Sequence, residues 1–179
     1  MSKIEIIKLI FGIMLSLGSA VLFILAYALY YKYLVQEKRC SSKTKGVVGR
    51  YTLASRGSGI FLPVVFYNVK GKNYKVVGPE YKWYKTVTRK SPLENNTVEF
   101  DPKGQSFITN RTVNSAVGIY RNPMRTLYPL SSEIDVYYDP DNPKLAYVLR
   151  YCNKKWNFYA LLFSAVFVLA ADLLILFVL

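Results

Sequence analysis

Two long apolar runs bracket this chain. From Ile6 to Tyr30 the one formal charge is Lys8, and from Trp156 to Leu179 it is Asp172. Each run exceeds the roughly 20 apolar residues that cross about 30 Å of hydrocarbon at about 1.5 Å per residue, so each predicts a membrane-spanning helix. A cleaved signal peptide would have a shorter apolar core and a small-residue cleavage site. The first run instead ends in Tyr27, Tyr30, Tyr31 and Tyr33, and the second begins with Trp156 and Tyr159. Rings with a polar tip at those places read as interfacial belts. The predicted organisation is a short tail at 1–5, a helix at 6–31, a β domain at 32–155 and a second helix at 156–179.

Between the helices the period changes. Short runs rich in β-branched and aromatic residues alternate with Gly, Pro, Asn and Asp, which predicts an antiparallel all-β domain of barrel or sandwich type. The first run is Gly46 to Ala54. Phe61 to Val69, the turn Lys70-Gly71-Lys72-Asn73 and Tyr74 to Val77 predict a hairpin. A second hairpin is predicted from Thr97–Phe100, the turn Asp101-Pro102-Lys103-Gly104 and Ser106–Thr109, since proline after aspartate with a glycine behind it suits a tight turn. Ile134–Tyr138 and Leu145–Leu149 complete the strands. The stretch from about Gly78 to Leu127 is less regular and reads as an elaboration on a simpler β core.

Composition narrows the function classes. The chain has no histidine, which excludes histidine triads, HExxH zinc sites and a histidine general base. Two cysteines without other soft ligands do not make a structural zinc site. Cys40 follows the first helix and Cys152 precedes the second, so they are a candidate disulfide in an oxidising compartment and separate thiols in the cytosol. The carboxylates Glu80, Glu94, Glu99 and Asp101 lie near turns and read as solvated. No catalytic residue, cofactor or metal site is expected, and the chain does not read as an enzyme. Asn95-Asn96-Thr97 and Asn110-Arg111-Thr112 match the glycosylation acceptor pattern, a three-residue match that arises often by chance.

A net charge of +13, from 24 basic against 11 acidic residues, resides almost wholly in the middle segment. Without any nucleic-acid-binding motif, a tethered basic domain has anionic lipid as its nearer polyanion. Lys82, Trp83, Tyr84 and Lys85, with Arg121 and Arg125, are the candidate surface for a protein partner or a headgroup layer. More basic residues flank the helices on the β-domain side than on the other, which favours a cytosolic domain. The loop, however, runs far past the about 60 residues over which that bias holds.

Inside the apolar runs, Asp172 and Lys8 are the expensive residues. Asp172 is expected either to snorkel toward the far interface or to meet Lys8 across the pair. Gly12, Ser16 and Ala20, and Ala160 and Ser164, recur at four-residue spacing and predict close helix contact, within one chain or in a homo-oligomer.

The most specific stretch is Val136-Tyr137-Tyr138-Asp139-Pro140-Asp141-Asn142-Pro143, with Gly46-Val47-Val48 and Pro63–Tyr67 upstream. It resembles a widespread family of two-helix membrane proteins of unknown function whose β domain ends in a Tyr-Asp-Pro-x-Asn-Pro turn. The resemblance implies an all-β domain between two spans and no particular chemistry. Asp139, Pro140, Asn142 and Pro143 read as a structural turn, in which the carboxylate accepts backbone N–H groups and the prolines end strand pairing. The combined reading is a membrane-anchored interaction module at the plasma membrane, an accessory subunit or immunity-type protein. The alternative is an envelope protein whose basic face binds anionic headgroups.

Overall fold

The structure is a computed structural model that describes residues 3–56, 59–90, 97–101, 106–113 and 122–177. Glu94, Asn95, Asn96, the Pro102–Gly104 turn and Arg121 lie outside the described residues. The chain divides into two compact units, one built from the terminal helices and one spanning Gln36–Asn153.

In the first unit, helix α1 (Lys3–Leu25) continues through one π-helical turn (Ala26–Tyr30) into α2 (Tyr31–Arg39), and α4 (Lys155–Phe177) packs antiparallel against α1. Both helical stretches are long and apolar enough to cross a membrane. Their contact is a narrow strip. Gly12, Ser19, Ala26 and Tyr33 are buried on one side, and Phe158, Ala165 and Asp172 on the other. Both sets recur every seven residues, the period that keeps one seam of each helix facing its partner. The expected four-residue stripes form this seam only in part: Gly12 and Ser16 meet the other helix, whereas Ala20, Ala160 and Ser164 are exposed, and the Ser164 hydroxyl bonds back to the Ala160 carbonyl. A four-residue repeat drifts around the helix, whereas a seven-residue repeat stays nearly in line. Most large apolar side chains of both helices point away from the seam, among them Phe11, Leu17, Phe163 and Phe177.

The second unit has two sheets. Strands β1 (Ser42–Tyr51), β2 (Pro63–Val69), β3 (Lys72–Val77), β7 (Glu133–Tyr138) and β8 (Ala146–Val148) form a curled antiparallel sheet in the order β3-β2-β1-β7-β8. The edge strands β3 and β8 come close to one another. Alternation aims Val48, Val65, Tyr67, Ile134, Val136 and Val148 into one core. The β2–β3 hairpin closes in two residues, Lys70 and Gly71, both at positive φ. That is tighter than the four-residue turn expected and has the handedness that matches strand twist.

Strands β4 (Trp83–Lys90), β5 (Thr97–Phe100) and β6 (Ser106–Val113) form the second sheet, in the order β4-β6-β5. β5 and β6 pair antiparallel as expected, with Phe100 opposite Phe107. β4 pairs parallel with β6, however, so the domain is not wholly antiparallel. The reason is topological. β6 occupies the centre, so β4 and β6, two strands apart in the chain and running the same way, become neighbours. A second core of Ile60, Leu62, Tyr81, Phe107 and Met124, the last from the short helix α3 (Met124–Leu127), fills the inner side. The elaboration expected between Gly78 and Leu127 is therefore this second sheet.

Two glycines report close approach. A Cβ at Gly46 would lie 2.5 Å from Val65 Cγ1 and 3.0 Å from the Phe66 carbonyl oxygen. At Gly12 it would lie 3.1 Å from Leu176 Cδ2 and 3.3 Å from Asp172 Oδ1, whereas Gly18 has nothing within 4 Å. Gly46→Ala is expected to destabilise the β domain by about 1–3 kcal/mol through overpacking. Gly12→Leu is expected to lower the melting temperature in detergent, while Gly18→Leu leaves it within error. Thermal unfolding of the three variants checks both statements, and equal effects at Gly12 and Gly18 would show that the seam is misplaced.

Candidate interaction surface

The six residues expected to act as one surface do not stay together. Trp83 begins the edge strand β4 with its ring 66% exposed, and Lys82 and Lys85 beside it are exposed. Tyr84 points the other way, as alternation along a strand requires. Its ring packs on Tyr81 and Phe107, and its hydroxyl accepts the Tyr81 backbone N–H at 2.9 Å. Burial pushes the Tyr84 phenol well above its ordinary pKa. Tyr84 therefore packs on the second core, and the exposed group at the start of β4 is Trp83 and Lys85 with Lys82 just before the strand.

Arg125 lies elsewhere, on α3. Its guanidinium stands 5.4 Å from the centre of the Tyr51 ring. Together they help line a cleft of about 730 Å³ with Arg50, Thr52, Leu53, Phe61, Asn122 and Leu130. Local structure explains how the cleft is held open. A β-bulge at Gly49 shifts the register between Val48 and Arg50, and the Phe66 ring lies where a Gly49 side chain would be. Beyond the bulge, Tyr51 packs against both cores and donates its hydroxyl to the Tyr128 carbonyl at 2.7 Å. Asn122, 8% exposed, spans the opposite wall. Its amide donates to the Phe61 carbonyl at 2.8 Å, and its oxygen accepts from Phe61 N–H and Met124 N–H. Sequence reasoning passed over Arg50, Tyr51 and Asn122. A glycine within a strand run was the one available hint of a bulge.

The Tyr-Asp-Pro-x-Asn-Pro turn has more partners than a turn needs. Asp139 is 2% exposed. Its Oδ1 accepts the Asp141 N–H at 3.0 Å, the expected Asx geometry, and its backbone N–H donates to the Leu145 carbonyl at 3.0 Å. Its Oδ2 faces Arg39 Nη2 at 2.8 Å, an ion pair by distance in which the N–H is not well aligned. The Asn142 carbonyl accepts from Leu145 N–H, the Pro143 carbonyl accepts the Tyr67 hydroxyl, and Pro140 stays at the surface. Just beyond, the Gln36 side chain donates to the Ala146 carbonyl at 2.9 Å and Cys40 Sγ to the Leu145 carbonyl at 3.3 Å. The end of α2 is thus fastened to the β7–β8 loop at three places.

Cys40 and Cys152 are both buried and are not joined by a disulfide. Burial, with Asp139 adding to it, pushes the Cys40 thiol up to about 11. In the helix pair, Asp172 neither snorkels nor meets Lys8. It is 1% exposed, and its Oδ2 accepts the Ser16 hydroxyl at 2.5 Å. The correction is geometric: the seven-residue seam brings Ser16 opposite Asp172, and Ser19 likewise donates to the Ala165 carbonyl at 2.9 Å.

The Arg39 and Asp139 pair makes an asymmetric prediction. Arg39 is half exposed and Asp139 is not, so removing the cation strands a buried carboxylate. Arg39→Ala is expected to cost about 2 kcal/mol. Arg39→Ala with Asp139→Asn should recover part of that loss, because asparagine keeps the Asx acceptor without the charge. Denaturant unfolding in detergent measures both, and a double variant weaker than the single one would reject the argument.

Comparison of the chain with protein-family models, with curated proteins and with solved structures finds no match in any of the three.

Proposed function

We propose that this chain is a membrane-anchored β-domain interaction module that binds a protein partner at the bilayer, as an accessory subunit or an immunity-type protein, with its domain on the cytosolic side of the plasma membrane. The anchoring reading rests on the narrow helix seam. Two helices that bury so little of their apolar surface on one another leave the rest for hydrocarbon, in keeping with close packing of small residues in membranes. The likeness to two-helix membrane proteins of unknown function, carried by the Tyr138–Pro143 turn, belongs to the same proposal.

The observation that carries the partner reading is Trp83. A tryptophan two-thirds exposed on an edge strand, between two exposed lysines, is an aromatic anchor with basic neighbours. Interfaces favour such residues, and edge strands offer unpaired backbone groups to a partner. Two carboxylates of the domain are engaged locally: Glu99 accepts the Asn110 amide at 3.1 Å, and Asp135 pairs with Lys43 and Lys45. Those two lysines hold the Asp135 carboxyl below its ordinary pKa.

Trp83→Ala in the full chain, extracted in detergent, is expected to lose a co-purified protein that the wild type and Lys70→Ala retain. Retention by Trp83→Ala would sink the partner surface. The side of the membrane needs a reporter other than the native cysteines. Both are buried, and the Cys40 thiol, neutral up to about pH 11, gives little thiolate at pH 8. Leu53, 96% exposed, is the better position. On intact cells an impermeant maleimide is expected to leave Leu53→Cys unlabelled until lysis. Labelling before lysis would put the domain outside.

A further inference from the structure

We propose that the cleft between the end of β1 and α3 is a binding site for a phosphate-bearing ligand, distinct from the Trp83 surface. Its lining is selective in charge. Arg50 and Arg125 line it, and no carboxylate does among the described residues. The volume of about 730 Å³ lies within the range of small-molecule sites, about 300–1,000 Å³.

The cleft is also organised in advance. Tyr51 is fixed at its hydroxyl by the Tyr128 carbonyl, and its ring supports the Arg125 guanidinium. Thr52 is held in place as its hydroxyl accepts Leu62 N–H at 3.0 Å and donates to the Ala54 carbonyl at 3.0 Å. Asn122 ties the far wall to Phe61 through both ends of its amide. An arginine stacked on a fixed ring loses less freedom on binding than a free one.

The chemistry of the lining favours phosphate over other anions. A carboxylate is satisfied by a single guanidinium fork, whereas a tetrahedral phosphate keeps oxygens for a second fork and for a hydroxyl. Arg50, Arg125 and Thr126, all lining the cleft, are the residue types that can supply that set. Leu53, Phe61 and Leu130 form an apolar lip beside it, where the organic part of a phosphate ester would rest. A lipid headgroup and a soluble phosphate ester share this chemistry.

The full chain in maltoside micelles, which contain no phosphate, is the test material. One arm titrates inorganic phosphate and glycerol phosphate by calorimetry, and the other titrates phosphatidic acid by native mass spectrometry. Saturable binding is expected in at least one arm. Binding in the soluble arm identifies a soluble ester, and binding in the phosphatidic acid arm alone identifies a lipid. Arg125→Gln and Arg50→Gln should each weaken it about tenfold or more. Lys82→Gln with Lys85→Gln, which removes two positive charges outside the cleft, should leave it unchanged. Arg125→Lys, which keeps charge but loses the fork, should fall between. Three results would overturn the site: no saturable binding in either arm, equal weakening by the lysine variant, or equally strong binding of a phosphate-free acidic peptide. Unchanged thermal melting of the arginine variants shows that the fold is intact.

Discussion

A carboxylate sealed from water needs partners, and Asp139 is held from three directions. The Asp141 N–H of its own turn donates to one carboxylate oxygen, Arg39 at the end of the first helical segment pairs with the other, and its own backbone N–H donates across the loop to the Leu145 carbonyl. Buried charge is tolerated only when its partners are all in place. The β7–β8 loop therefore cannot open without stranding Asp139, and the carbonyls of Leu145 and Ala146 remain presented to Cys40 and Gln36. The Pro143 carbonyl meets Tyr67 in the same way, which joins the loop to β2 on the far side of the curled sheet. One residue thus links the helical entry, the last hairpin and the sheet core.

The helix pair follows a second rule. Apolar side chains would hold two helices together poorly in equally apolar surroundings, where contact would rely on close approach and hydrogen bonds. Gly12, Ser19, Ala26 and Ala165 permit the approach, and Ser16 and Ser19 supply the bonds. Each interhelical bond of this kind contributes about 1 kcal/mol. Asp172 belongs to this seam through the Ser16 hydroxyl.

In the β unit, one inserted residue has wide effects. The bulge at Gly49 redirects the end of β1, so that Tyr51 joins the two cores and Arg50 lines the same cleft as Arg125. On β4, single-residue alternation separates Trp83 from Tyr84, giving one to solvent and the other to the core. Neighbours in sequence acquire opposite roles because the pleat has a period of two.

What was legible in advance was what depends on local composition. Length and apolarity identify the terminal helices, turn residues identify the hairpins, and the Asp-Pro-x-Asn-Pro chemistry identifies an Asx turn, each through forces acting within a few residues. What the tertiary structure alone decided involves partners far apart in the chain: Arg39 with Asp139, Ser16 with Asp172, β4 beside β6, and Arg50 and Arg125 on one cleft. Such pairings carry no periodic signal. They are chosen by the joint cost of leaving buried polar groups unpaired and cores unfilled, and only the folded chain can settle that cost.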